Sequence, residues 1–182
     1  MTIVHCSIIA AALVAGIAAW TDLRSGKIPN WLTLGSLAVA PVVHFLAAFL
    51  TGPLDSAIQA AGYSVLGACI VGLVPVLLYR MGGIYGGDVK LLAAIGAICG
   101  TSVGVEAELF AFIAGSAFAL GRLAYEGKLA NTLGNSLRIL INPVLPKDRR
   151  REVTPEMMTE MRFGPAIFVG TLGAAFMQWR PL

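Results

Sequence analysis

Six apolar stretches constrain this chain more than any other feature: Ile3 to Trp20, Trp31 to Leu50, Ala57 to Tyr79, Val89 to Val103, Ala107 to Tyr125 and Phe163 to Trp179. The connections between them gather nearly all the charge. A helix needs roughly 20 apolar residues to cross a hydrocarbon core. With 57% hydrophobic and 13% charged residues, the chain cannot cover a water-soluble globule, whose charged fraction is about 25%. The expected fold is an all-α polytopic membrane protein with about six transmembrane helices, forming a single membrane-embedded domain over 1–182. The fourth stretch is short and broken by glycine, which suits a helix lining a site, where protein or water satisfies its ends.

Basic residues set the expected orientation. Twelve of the thirteen fall on alternate connections: Arg24 and Lys27, then Arg80 and Lys90, then Arg122, Lys128, Arg138, Lys147, Arg149, Arg150, Arg151 and Arg162. The other connections carry Asp55, Glu106 and Glu108, and Arg180 stands alone near the end. By the positive-inside rule both termini lie outside and the basic loops are cytoplasmic, a parity that six crossings satisfy. Within the last cytoplasmic loop, Leu129, Leu133, Leu137 and Leu140 recur at helical spacing between Lys128, Asn131, Asn135 and Arg138. That pattern predicts an amphipathic helix lying in the interface. The run from Lys147 to Glu152 reads as a solvated loop near anionic headgroups. None of the first 23 residues is Lys or Arg, so the opening stretch lacks the positive n-region of a signal peptide and is expected to be a retained span.

Several function classes drop out. The net charge of +3 comes from bases scattered at span ends, without interleaved exposed aromatics, which argues against nucleic acid as a partner. Cys6, Cys69 and Cys99 are isolated within apolar runs, so neither a disulfide framework nor a metal knuckle is expected, and they read as small core residues. His5 and His44 read as packed side chains. No Gly-x-Ser-x-Gly motif supports serine chemistry.

Two acids stand out. Asp22 ends the first stretch in Trp20-Thr21-Asp22-Leu23-Arg24-Ser25-Gly26-Lys27-Ile28-Pro29-Asn30, and Asp88 opens the fourth in Tyr85-Gly86-Gly87-Asp88-Val89-Lys90. The charge argument puts both on the cytoplasmic side, where an ionisable residue at the membrane edge is functional by default. Close carboxylates cannot easily both ionise, so a pair shares a proton. One member can then take a proton from water while the other donates to a scissile carbonyl. Gly86 and Gly87 offer a substrate backbone close approach, and Lys90 can offset nearby negative charge. Ordinary readings stand beside this one: Asp88 as the N-cap of the next helix, and Asp22 as a solvated acid near Arg24.

At these residues the chain resembles the type IV prepilin peptidases, membrane aspartyl proteases of the GxGD class. Asp22 with Lys27-Ile28-Pro29-Asn30 is similar to the family's first motif, Gly87-Asp88-Val89-Lys90-Leu91-Leu92-Ala93 to its second, and Phe163-Gly164-Pro165-Ala166-Ile167 to a third that opens the last helix. One departure is Tyr85, which stands where the family has its first glycine. The resemblance implies a bacterial inner-membrane endopeptidase with Asp22 and Asp88 as its dyad at the cytoplasmic face. Its expected partner is a prepilin-like protein with a hydrophobic N-terminal helix, cleaved beside that helix, commonly after a glycine. The short connection between the first two spans is similar to that of the Tad/Flp-type members without a methyltransferase region, which implies no metal, nucleotide or other cofactor. Two other classes use the same residues: an ion-coupled transporter, and a non-catalytic scaffold of a secretion assembly.

Overall fold

The computed structural model describes residues 3–125, 127 and 162–179. All regular structure among them is helical: α1 (Ile3–Ser25), α2 (Asn30–Phe49), α3 (Leu54–Arg80), α4 (Gly86–Tyr125) and α5 (Gly164–Gln178). Four of these are long and apolar enough to cross a bilayer, and α5 is a shorter apolar helix. Large apolar side chains such as Leu13, Val39, Leu73 and Phe176 point outward. In water such a surface would be unstable, but against lipid it is what a spanning helix presents. This is a multi-pass, all-α membrane protein. The expected interfacial helix over Leu129 to Leu140 lies outside the described residues.

Two compact units divide the chain. The first combines Met1–Gly115 with Arg162–Leu182. The second is Ser116–Met161, of which the end of α4 and Gly127 are described. There Gly127, at φ 68°, donates its N–H to the Ala124 carbonyl at 3.1 Å and closes the helix.

Helix ends in the first unit follow from local chemistry. The first helix stops where Gly26 takes φ 66°, with its N–H on the Asp22 carbonyl at 2.8 Å, a left-handed cap that glycine adopts without steric penalty. Pro29, extended at φ −63° and ψ 131°, then starts α2. Between α3 and α4 the turn is made at Gly82, φ 77°, and the Gly83 N–H returns to the Leu78 carbonyl at 2.8 Å. Gly86 and Gly87 already belong to the first turn of α4.

The fourth helix contains a reversal. At Gly100 the backbone takes φ 78° and ψ 178°. Gly96 and Gly104 would stand about 12 Å apart along an unbroken helix, yet a Cβ on Gly104 would lie 3.0 Å from Gly96 Cα. The two halves therefore fold back on one another. The apolar pattern puts a boundary between Val103 and Ala107, but the chain turns earlier, at the residue that tolerates positive φ.

Turning there strands the last carbonyls of the first half, which must find partners in an apolar setting. His44 Nε2 lies 2.9 Å from the Ile98 carbonyl, and Ser64 donates to the Ala97 carbonyl at 2.7 Å. Small residues allow the close approach this requires: a Cβ on Gly96 would sit 2.5 Å from the Gly67 carbonyl of α3. Leu91, Leu92, Ala94, Ile95 and Ala97 are fully buried, so the first half of α4 is enclosed on every face.

Two further expectations are corrected. Glu106 and Glu108 belong to the second half of α4 rather than to a connection; Glu106 accepts from Gln178 at 3.1 Å, while Glu108 is buried with Oε1 unpartnered among the described residues. The cysteines are not core residues: Cys6 and Cys69 are exposed and Cys99 is half-buried. In a bilayer the outer faces are apolar too, so an apolar setting does not distinguish inside from outside. His5, packed edge-on against Trp179 with ring centroids 5.1 Å apart, and His44 are both packed.

Candidate active site

Asp22 lies in the last turn of α1, three residues before the helix ends. It is 7% exposed, not the solvated acid that neighbouring Arg24 suggests. Arg24 points outward, and the carboxylate turns inward to the start of α5, where the Gly164 N–H donates to Oδ2 at 3.0 Å. The first N–H groups of a helix have no internal partner and carry the positive end of its dipole, so a carboxylate there is stabilised. Next to this contact, the Arg162 guanidinium donates through Nη1 to the Leu23 carbonyl.

Asp88 is 3% exposed and sits in the first turn of α4. Its Oδ2 accepts the Tyr85 N–H at 3.2 Å. Capping does occur, but from the third helical position back to the N-cap residue, as in one half of a capping box. This gives Tyr85 a role that needs only its main chain: its side chain is exposed.

The three motif segments, distant in sequence, converge. Ile28 packs on Gly87, where a Cβ would lie 3.3 Å from Ile28 Cβ. Lys90 Nζ donates to Asn30 Oδ1 at 2.9 Å; it makes no ion pair with either acid, so its expected charge-offsetting contact is replaced by a strap between α4 and α2. Gly164 holds Asp22. Gly86 is less constrained, because a Cβ there would meet only the Tyr79 ring at 3.6 Å. The contacts of Ile28 with Gly87 and of Lys90 with Asn30 bring the segments that carry Asp22 and Asp88 together.

Both acids share one arrangement. Each has Oδ2 on a main-chain N–H at a helix start, and each has no protein partner for Oδ1 among the described residues. Neither Oδ1 is sealed from solvent as Glu108 Oε1 is. Two apolar grooves, of about 740 Å³ between α1 and α5 and about 490 Å³ bounded by α1 and α2, are lined by neither acid. Among the described residues no group of three His, Cys, Asp or Glu side chains could hold a metal ion.

Sequence reading missed the role of Gly164, whose motif carried no acid or base, and that of His44, whose carbonyl partner appears only once the chain turns at Gly100. Comparison with curated proteins and with solved structures returned no match. A family model described as the type IV leader peptidase family matches residues 9–120. Both acids, the glycines beside Asp88 and the reversal at Gly100 fall within that span, which is well over half of the chain. The chain belongs to the type IV leader peptidase family.

Proposed function

We propose that this protein is a membrane aspartyl endopeptidase that removes the leader from type IV, Tad/Flp-like pilin precursors at the cytoplasmic face of the inner membrane. Asp22 and Asp88 form the dyad. The observation that carries the reading is the convergence of two buried carboxylates, each held through one oxygen and each offering the other. Water bound between the two Oδ1 atoms loses a proton to one carboxylate as its oxygen attacks the scissile carbonyl. The other, protonated member donates to the carbonyl oxygen. Collapse of the tetrahedral intermediate breaks the C–N bond: the proton first taken from water passes to the departing nitrogen, and one hydroxyl of the intermediate returns its proton to the carboxylate that had donated.

The setting supports this chemistry. Apolar helices keep the local dielectric low, which strengthens interactions with developing charge, while the site stays at the end of the helices, within reach of cytosolic water. The precursor's hydrophobic helix would share the bilayer with the enzyme, leaving the bond beside it at the level of the dyad. Six crossings, counting the halves of α4 separately, put both termini outside and Arg24, Lys27, Arg80, Lys90 and Arg162 inside.

An ion-coupled transporter would use a broken helix whose free carbonyls bind the ion. Here two of the carbonyls before the break at Gly100, those of Ile98 and Ala97, are engaged by His44 and Ser64, which favours the peptidase. The test is processing of a co-expressed pilin precursor, read as a gel shift at equal membrane levels. Asp22→Asn and Asp88→Asn should each slow cleavage by about a hundredfold or more. Parent-rate processing by either variant would exclude its acid from the dyad, and ion flux in vesicles without cleavage by the parent would favour the transporter.

A further inference from the structure

We propose that Gly164 is a positioning residue of the active site: its main-chain N–H fixes Oδ2 of Asp22, so that Oδ1 is the oxygen presented to water. The proposal rests on the two-aspartate reading above and assigns a task to a residue with no side chain.

Three features of α5 make this N–H available. Gly164 is the first helical residue, so its donor has no carbonyl within the helix to serve. Pro165 follows and brings no N–H of its own, leaving Gly164 as the donor at the very start. The segment before it is anchored on both sides: Arg162 donates to the Leu23 carbonyl, and the buried Phe163 ring lies against Phe112 with centroids 5.5 Å apart. A donor held this firmly costs little reorganisation when charge moves on the carboxylate, which is how preorganised groups assist a reaction.

Glycine is required for a specific reason. The three atoms nearest a Cβ at position 164 all belong to Asp22: Oδ2 at 2.8 Å, Cβ at 2.9 Å and Cγ at 3.2 Å. A side chain there would meet Asp22 first, and the carboxylate would have to leave its donor. Gly170 on the same helix provides the contrast. A Cβ there would sit 2.5 Å from the Ala107 carbonyl and would also press on Ala111 of α4. Gly170 serves helix packing, and Gly164 serves an acid.

The experiment measures steady-state cleavage of a pilin-type precursor by purified parent, Gly164→Ala and Gly170→Ala enzymes, together with thermal unfolding. It also measures affinity for a precursor-derived peptide whose scissile amide is replaced by a hydroxyethylene group. Gly164→Ala should lose about tenfold or more in kcat with KM within about threefold, and should bind the isostere correspondingly less well while keeping the parent's unfolding temperature. Gly170→Ala should lower the unfolding temperature but keep kcat per folded molecule. If Gly164→Ala fails to accumulate, an ester in place of the amide at position 164, which removes the N–H and adds no atom at Cα, should show the same loss in kcat. Parent kcat in either position-164 variant, or a loss that merely follows the folded fraction, overturns the proposal. A parent that cleaves no precursor overturns the peptidase reading itself, whatever Gly164 does.

Discussion

Lys90 can turn towards Asp88, two positions back on its own helix, or across to Asn30. Residues two apart do not share a helix face, and the ammonium goes to Asn30 Oδ1 at 2.9 Å. The bond is exposed, so its contribution to stability is modest. Asn30→Ala should lower stability by about 1 kcal/mol or less, and cleavage by only a few-fold, as measured by unfolding and by precursor processing. A drop as large as that of Asp88→Asn would mean that Lys90 or Asn30 takes part in the chemistry. The two acids stand out in the sequence because each sits at an end of an apolar run in a distinctive local pattern. The burial of Asp22 does not, since the group that receives it, the Gly164 N–H, lies far downstream and is a main-chain atom. In sequence the neighbour of Lys90 is an acid, which suggests a charge-offsetting role, whereas its neighbour in space is an amide.

Helix α4 shows what hydropathy reveals about an element and what it hides. The short, glycine-broken fourth stretch was apparent in the sequence, and so was a second apolar run behind it. The turning point was not, because small residues on both sides of Gly100 continue the apolar pattern without a polar break. Position 100 has φ 78° and ψ 178°, a region essentially restricted to glycine, so Gly100→Ala should cost about 1–3 kcal/mol. His44→Ala leaves the Ile98 carbonyl without its partner and should cost about 1–3 kcal/mol. Both are read as lower unfolding temperatures in detergent. Glu108 offers the opposite case: its Oε1 has no hydrogen bond to lose, so Glu108→Gln should leave the unfolding temperature unchanged or raised. A marked fall would indicate a partner that Glu108 acquires in the membrane.

For the molecule as a whole, alternation of charge was the most readable signal, because it depends on which connections hold Arg and Lys and not on exact helix boundaries. It yields a direct expectation for intact cells. Cysteines at Thr51 and Thr101, in a background lacking the native cysteines, should react with an impermeant maleimide from outside. Cysteines at Ser25 and Gly83 should react only after permeabilisation. Labelling of Thr101 from inside would exclude the six-crossing arrangement. The pairing of distant segments was harder to read, since the compact unit that holds both acids is assembled from Met1–Gly115 and Arg162–Leu182.

That discontinuity has a consequence for biosynthesis. As the ribosome releases the chain, Asp22 and Asp88 are both in place long before α5 exists, and the N–H that holds Asp22 arrives with α5, the last of the described helices to be made. A nascent chain thus carries both acids before the main-chain donor that holds Asp22 has been made.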